Sequence, residues 1–278
     1  MTLTELREKL RPPCPALDVH VHPLGPKRVD SVDKDARQIL DAADRSGVEK
    51  MCIFLLHPAS GEGQLPEPTM NHCRDANDYN LQMRERSPDR FIPFCYVNPM
   101  YPDESVTEID RCVEGERMCG IKLWIARRAT DPGLDPILQR SIELGIPVLQ
   151  HAWDKTTGNL PGEPFPQDVA HLAKRHPDAK IIMAHLNGCG LRGVEHVVDC
   201  PNLTVDTGGG DPEVGIVENA VNALGKKRVV FSSDLPVRLL GQCLGKTLGT
   251  DLPEETKKDI LWNNAARLLP EWAGVKPF

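Results

Sequence analysis

Two histidines spaced two residues apart open the chemistry of this chain, in the run Asp18-Val19-His20-Val21-His22. Side chains alternate along an extended strand, so Asp18, His20 and His22 are expected on one face. Buried imidazoles need partners, and an i, i+2 pair at a strand end can grip one metal ion. Three more groups of ligand type close later apolar runs: His151 after Val148-Leu149-Gln150, His185 after Ile181-Ile182-Met183-Ala184, and Asp234 after Val229-Val230-Phe231-Ser232-Ser233. A lone strand-end histidine is ordinary, whereas five such groups together point to a divalent metal site. An imidazole-rich set favours zinc, with manganese, iron and cobalt left open.

Groups so far apart in sequence need a scaffold that gathers strand ends. Apolar runs recur at 17–22, 50–56, 91–97, 119–124, 147–151, 180–185, 203–206 and 228–232. Amphipathic stretches alternate with them at 34–46, 71–86, 104–117, 135–144, 167–175, 191–198 and 212–224, and a last helix is expected over 253–269. Eight strands alternating with eight helices predict an α/β fold, a distorted (β/α)₈ TIM barrel. The alternative is an open doubly wound sheet. Its glycine-rich first turn is replaced here by His20-Val21-His22-Pro23-Leu24-Gly25. Gly208-Gly209-Gly210 lacks a phosphate-loop lysine and is taken as a loop. With no linker in sight, residues 1–278 are expected to form a single domain with its barrel core at about 15–270. The Pro/Gly-rich stretches 58–68 and 156–166 follow strands two and five, where substrate loops belong.

Composition narrows the partners. A hydrophobic fraction of 40% and a charged fraction of 26% fit a globular protein, and no apolar run is long enough to span a bilayer. The first ten residues alternate charge with leucine and carry no signal core, so a cytoplasmic location is expected. The nine cysteines include no Cys-x-x-Cys pair, and reduced, mostly buried thiols are expected. A net charge of −7 without a basic block argues against nucleic acid. A small-molecule substrate is the expected partner, with no membrane; a homo-oligomer is left open.

The motifs Asp18-Val19-His20-Val21-His22, Gly120-Ile121-Lys122-Leu123, Gln150-His151-Ala152-Trp153, Ala184-His185-Leu186-Asn187-Gly188 and Ser233-Asp234-Leu235-Pro236 resemble those of the amidohydrolase superfamily, in its amidohydrolase-2 group. The closing run Trp262-Asn263-Asn264-Ala265-Ala266-Arg267-Leu268-Leu269 resembles that family's terminal helix, and the likeness spans about residues 15–270. The resemblance implies that His20, His22, His151 and Asp234 hold one divalent ion, most often zinc. It implies that His185 is the acid/base histidine, with Asp234 also moving protons. Two-ion relatives carboxylate a strand-four lysine. Lys122 ends strand four here, so a second ion is the alternative to Lys122 binding substrate or packing.

Substrate contacts are expected from Lys122, Trp124, Trp153, Arg238 and His57. Arg127, Arg128, Lys155, Arg192 and Arg238 all follow strands at the catalytic face. In an acidic chain they suit an anionic substrate, or are solvated loop charges. The leading expectation is a metal-dependent hydrolase acting on an amide, lactone or ester through activated water. The alternatives are non-oxidative decarboxylation of an unsaturated or aromatic acid on the same site, and an inactive metal-binding barrel.

Overall fold

The computed structural model describes Thr2, Glu5 and residues 11–56, 68–210 and 213–278. Its strands are short and parallel: β1 (Ala16–Val21), β2 (Val48–Ile53), β3 (Phe91–Pro93), β4 (Cys95–Tyr96), β5 (Ile121–Leu123), β6 (Val148–Gln150), β7 (Ile181–Met183), β8 (Leu203–Asp206) and β9 (Val229–Val230). They pair in chain order, β1-β2-β3 and β4 through β9. β3 and β4 are halves of one expected strand, broken where Phe94 N donates to Ile53 O and Cys95 N turns to Gly120 O. The ring closes beyond β9, where Val19 N donates to Phe231 O, Asp234 N to His20 O and His22 N to Leu235 O. This is the expected eight-stranded barrel rather than the open sheet.

The two-residue period of the strands sorts their side chains into an inner and an outer layer. Cys52, Phe54, Leu149, Ile182 and Val230 join the interior cluster, which Trp262, Ala265 and Leu269 of the C-terminal segment also enter. Met51, Ile53, Ile121, Leu123, Ile181 and Met183 pack outward against the helices. In β1 the inward residues are Leu17 and Val19, and a register irregularity falls between Asp18 and Val21. The expectation that Asp18 shares a face with His20 and His22 therefore fails. Strict alternation does not survive the irregularity, and Asp18 lies beside the β9 end, accepting from Ser233 N and His20 N at 3.0 Å each.

The helices cover the outer layer. α1 (Val32–Ser46) starts where the Ser31 side chain accepts from Lys34 N, and stops at Gly47 in the left-handed region. Its Ala36, Ile39 and Ala43 are buried at helical spacing. α2 (Met70–Arg86), α3 (Pro102–Ile109), α4 (Asp135–Leu144), α5 (Pro166–Arg175), α6 (Leu186–Val197) and α7 (Ile216–Leu224) follow their strands. α6 begins five residues earlier than the sequence suggests, directly after His185. α8 (Leu240–Leu248) lies in a stretch where no helix was expected. The continuous helix expected over 253–269 is instead α9 (Glu254–Lys258), a π-turn at Asp259–Asn263 and α10 (Asn264–Leu268).

Candidate active site and metal centre

The candidate residues converge at the C-terminal ends of the strands, the face where barrels of this kind carry chemistry. His20 Nδ1 donates to Asp206 Oδ2 at 2.9 Å, and His22 Nδ1 donates to the Phe54 carbonyl at 3.1 Å. A carboxylate and a carbonyl can only accept, so both rings carry a proton on Nδ1. Their Nε2 atoms face each other at 3.1 Å. Asp234 Oδ1 lies 3.2 Å from His22 Nε2 and 3.6 Å from His20 Nε2. Burial holds the His20 imidazolium well below its ordinary pKa, so the ring is neutral. Lone pairs aimed at one another this closely require a cation between them, a shared proton or a metal ion. The ligand atoms of His20, His22 and Asp234 lie within 4.8 Å of one another, and those of His20, His185 and Asp206 form a second such group. The donor set therefore fits a divalent ion.

His151 belongs to neither group and reaches the site through His185, whose Nε2 is 3.1 Å from His151 Nδ1. Among the described residues His185 Nδ1 is buried without a hydrogen-bond partner, 4.0 Å from Asp234 Oδ2. Burial lowers the His185 pKa far below its ordinary value. Burial alone would raise Asp234, but the His22 hydrogen bond and the charges around it bring its pKa below the usual carboxylate value. An ionised carboxylate beside a neutral, unpartnered imidazole nitrogen is a pair able to hold and pass a proton. Both residues take positive φ, 71° for His185 and 62° for Asp234. Left-handed backbone costs roughly 1–2 kcal/mol for a side-chain-bearing residue. Asp206 Oδ1 fixes the first of them by accepting from His185 N at 2.9 Å.

Lys122 is fully buried, with Nζ 3.4 Å from His20 Nε2 and 4.6 Å above the Phe54 ring. Burial brings its pKa down to about 7, with Asp206 and Asp234 opposing the shift. Lys122 joins Trp124, Trp153, Leu55, Leu56 and the four histidines around a cavity of about 290 Å³. The Trp153 ring lies 4.8 Å from that of His185. Pro236, Val237 and Arg28, all exposed, line its outer part. A larger groove of about 1120 Å³, between Arg11–Pro15, Arg90 and α8, holds none of the candidate ligands.

The basic residues expected to receive an anion are mostly committed elsewhere. Arg128 makes two bonds to Asp168 at 2.6 and 2.9 Å, Arg127 faces Asp131 and Arg192 faces Asp154. Lys155 pairs with Glu163. Arg238 donates to the Gly210 carbonyl and does not line the cavity. His57 and most of the 58–68 loop lie outside the described residues. Arg28, by contrast, has no ion-pair partner among the described residues. Asp206 and Glu163 escaped the sequence reading. Asp206 ends β8 and was open to the strand-end rule that found the others. Glu163 sits in the 156–166 loop with no local signal; its Oε1 accepts from His151 Nε2 at 2.9 Å.

A sequence profile of the amidohydrolase family matches residues 17–270. The 2-amino-3-carboxymuconate-6-semialdehyde decarboxylase of Dictyostelium discoideum is 22% identical over 282 residues, spanning 87% of this chain and 79% of that one. Among solved structures, 2,6-dihydroxybenzoate decarboxylase from Rhizobium superposes with a TM-score of 0.71 at 19% identity, covering 92% of this chain and 98% of the other. A dihydroxybenzoic acid decarboxylase from a Polaromonas species, with bound manganese and the inhibitor 2-nitroresorcinol, gives 0.69 at 19% identity, with 92% and 96% covered.

Proposed function

Since the chain belongs to the amidohydrolase family of metal-dependent enzymes, we propose that it is a decarboxylase of a small, planar unsaturated or aromatic carboxylic acid. The observation that carries the proposal is the junction of two unlike surfaces. The His20, His22 and Asp234 ligand atoms open onto a small cavity walled largely by Trp124, Trp153, Leu55 and Leu56. Flat apolar walls suit a planar substrate. The names borne by the similar proteins favour decarboxylation over the hydrolysis expected first. In this reading His20, His22, Asp234 and, through Nδ1, His151 hold one divalent ion, zinc or manganese. Such an ion supplies Lewis acidity, drawing electron density from substrate oxygens.

The chain's own groups account for the rest. Net decarboxylation adds one proton to the carbon that bore the carboxylate, and the C–C bond electrons stay with that carbon as carbon dioxide leaves. His185 Nδ1 and Asp234 Oδ2, 4.0 Å apart, would carry the proton. Trp153 and Trp124 orient the plane and exclude water, and Arg28 in the outer part of the cavity draws in the anion. The test is to supply the metal-loaded protein with a panel of hydroxybenzoates and muconate-type acids beside lactones, amides and esters. Carbon dioxide and hydrolysis products are scored separately. Carbon dioxide from at least one planar acid is expected. Turnover of lactones, amides or esters with no carbon dioxide from any acid would overturn the proposal in favour of a hydrolase.

A further inference from the structure

We infer that Glu163 is a positioning residue of the centre: it fixes the tautomer of His151 and so aims the His151 Nδ1 lone pair into the site. Glu163 stands on the loop after β6, and its side chain is 1% exposed. It is held from several sides. Oε1 accepts from His151 Nε2 at 2.9 Å and from Lys155 Nζ at 2.8 Å, while Oε2 accepts from Lys155 Nζ at 2.6 Å and Leu160 N at 2.8 Å. A carboxylate so placed can only accept, which puts the His151 proton on Nε2 and leaves Nδ1 as a lone pair.

That lone pair is 3.1 Å from His185 Nε2. It accepts from His185 when no ion is bound and is available to an ion when one is. The loop is built to keep the carboxylate in place. Trp153 N donates to the Pro164 carbonyl, and Asn159 Nδ2 donates to the Trp153 carbonyl. Gly162, at positive φ, packs so closely on the Ala126 carbonyl that a Cβ would sit 2.6 Å from it. Carboxylates that orient a ligating imidazole in this way typically change metal affinity about 10–100-fold when removed.

The inference rests on the metal-site proposal for its consequence but not for its geometry, so two readouts are needed. In chelator-stripped protein, two-bond ¹H–¹⁵N spectra of the imidazoles report the His151 tautomer with no metal present. Wild type should show the Nε2–H form, and Glu163→Ala should show a mixture or the Nδ1–H form. In a competitive cobalt(II) titration, Glu163→Ala should bind about 10–100-fold more weakly than wild type. Glu163→Gln, whose amide oxygen still accepts from Nε2, should recover much of the loss and keep the tautomer. Lys155→Met, which loosens the loop but spares the Glu163–His151 bond, should stay within a few-fold of wild type. Equal losses in Lys155→Met and Glu163→Ala would assign Glu163 to loop stability and overturn the inference. So would an unchanged His151 tautomer in Glu163→Ala. If wild type binds no cobalt, the metal proposal fails, and the tautomer spectra still decide what Glu163 does. If Glu163→Ala fails to fold, Glu163→Gln decides: Nε2–H kept with near-native affinity supports the inference, and a lost tautomer overturns it.

Discussion

His20 and His22 each spend one nitrogen on the protein and turn the other to the same point, whereas His185 leaves Nδ1 beside Asp234 with no partner among the described residues. These different commitments predict different losses. His20→Ala and His22→Ala should each lose most of the ion, because either change breaks the closest ligand group, His20, His22 and Asp234, and leaves only one of its two imidazoles beside His151. His185→Ala should retain its ion and lose turnover by about 10²–10⁴-fold, the usual worth of a positioned acid–base group. Metal content and turnover measured on the same preparations check both. Metal loss in His185→Ala as complete as in His22→Ala would make His185 a ligand and bring the His20–His185–Asp206 group forward as the operative one. Arg28 carries a separate prediction. A charge-assisted contact is worth about 1.5–3 kcal/mol, so Arg28→Met should raise KM for an anionic substrate about 10–100-fold with little change in kcat. An uncharged analogue should scarcely respond, and an equal response would make Arg28 an ordinary solvated charge.

The loop after β8 shows how an element places these groups. Gly209 has φ +67°, and a Cβ there would lie 2.4 Å from His185 Nδ1. Gly145, which caps α4 at the same φ of +67°, has nothing within 4 Å. Both alanine variants should lose about 1–2 kcal/mol of stability through the left-handed backbone. Only Gly209→Ala should also lose turnover, by displacing the imidazole; denaturation midpoints and kcat for the pair separate the two effects. The strand ends were legible in the sequence because apolar runs stop at a polar residue there, and β8 was read at its observed bounds, 203–206. α8 was not. Leu240, Cys243, Leu244 and Thr247 are buried at helical spacing, but Gly241 and Gly245 lower the local propensity and mask the period. The site was legible to the same degree: ligand-type residues at strand ends could be named. Glu163 could not, because its partnership with His151 is made by the path of a loop, and loop paths leave no period in the chain. The bond from Arg238 to the Gly210 carbonyl is equally invisible in the sequence, since only the fold brings the two together.

For the whole molecule, the proposed metal centre predicts that stability depends on the ion. The cysteines described are all free thiols, so no disulfide among the described residues staples the fold. The burial of Lys122, His20 and His185 around one point is a desolvation cost that the apolar layers must offset. A divalent ion binding the folded form alone supplies part of that offset by mass action. At a free concentration about 100-fold above its dissociation constant, the gain is about 2.7 kcal/mol. A chain of 278 residues has an unfolding entropy near 0.6 kcal/mol per degree, so the midpoint should rise by about 5 °C. Scanning calorimetry of chelator-stripped protein, with and without added zinc or manganese, measures that shift directly. His22→Ala should abolish it, and magnesium, a hard ion with little affinity for imidazole, should produce almost none. A shift of equal size for magnesium, or one that survives in His22→Ala, would mean that the ion binds elsewhere, and the centre built from β1 and the β9 end would lose its physical basis.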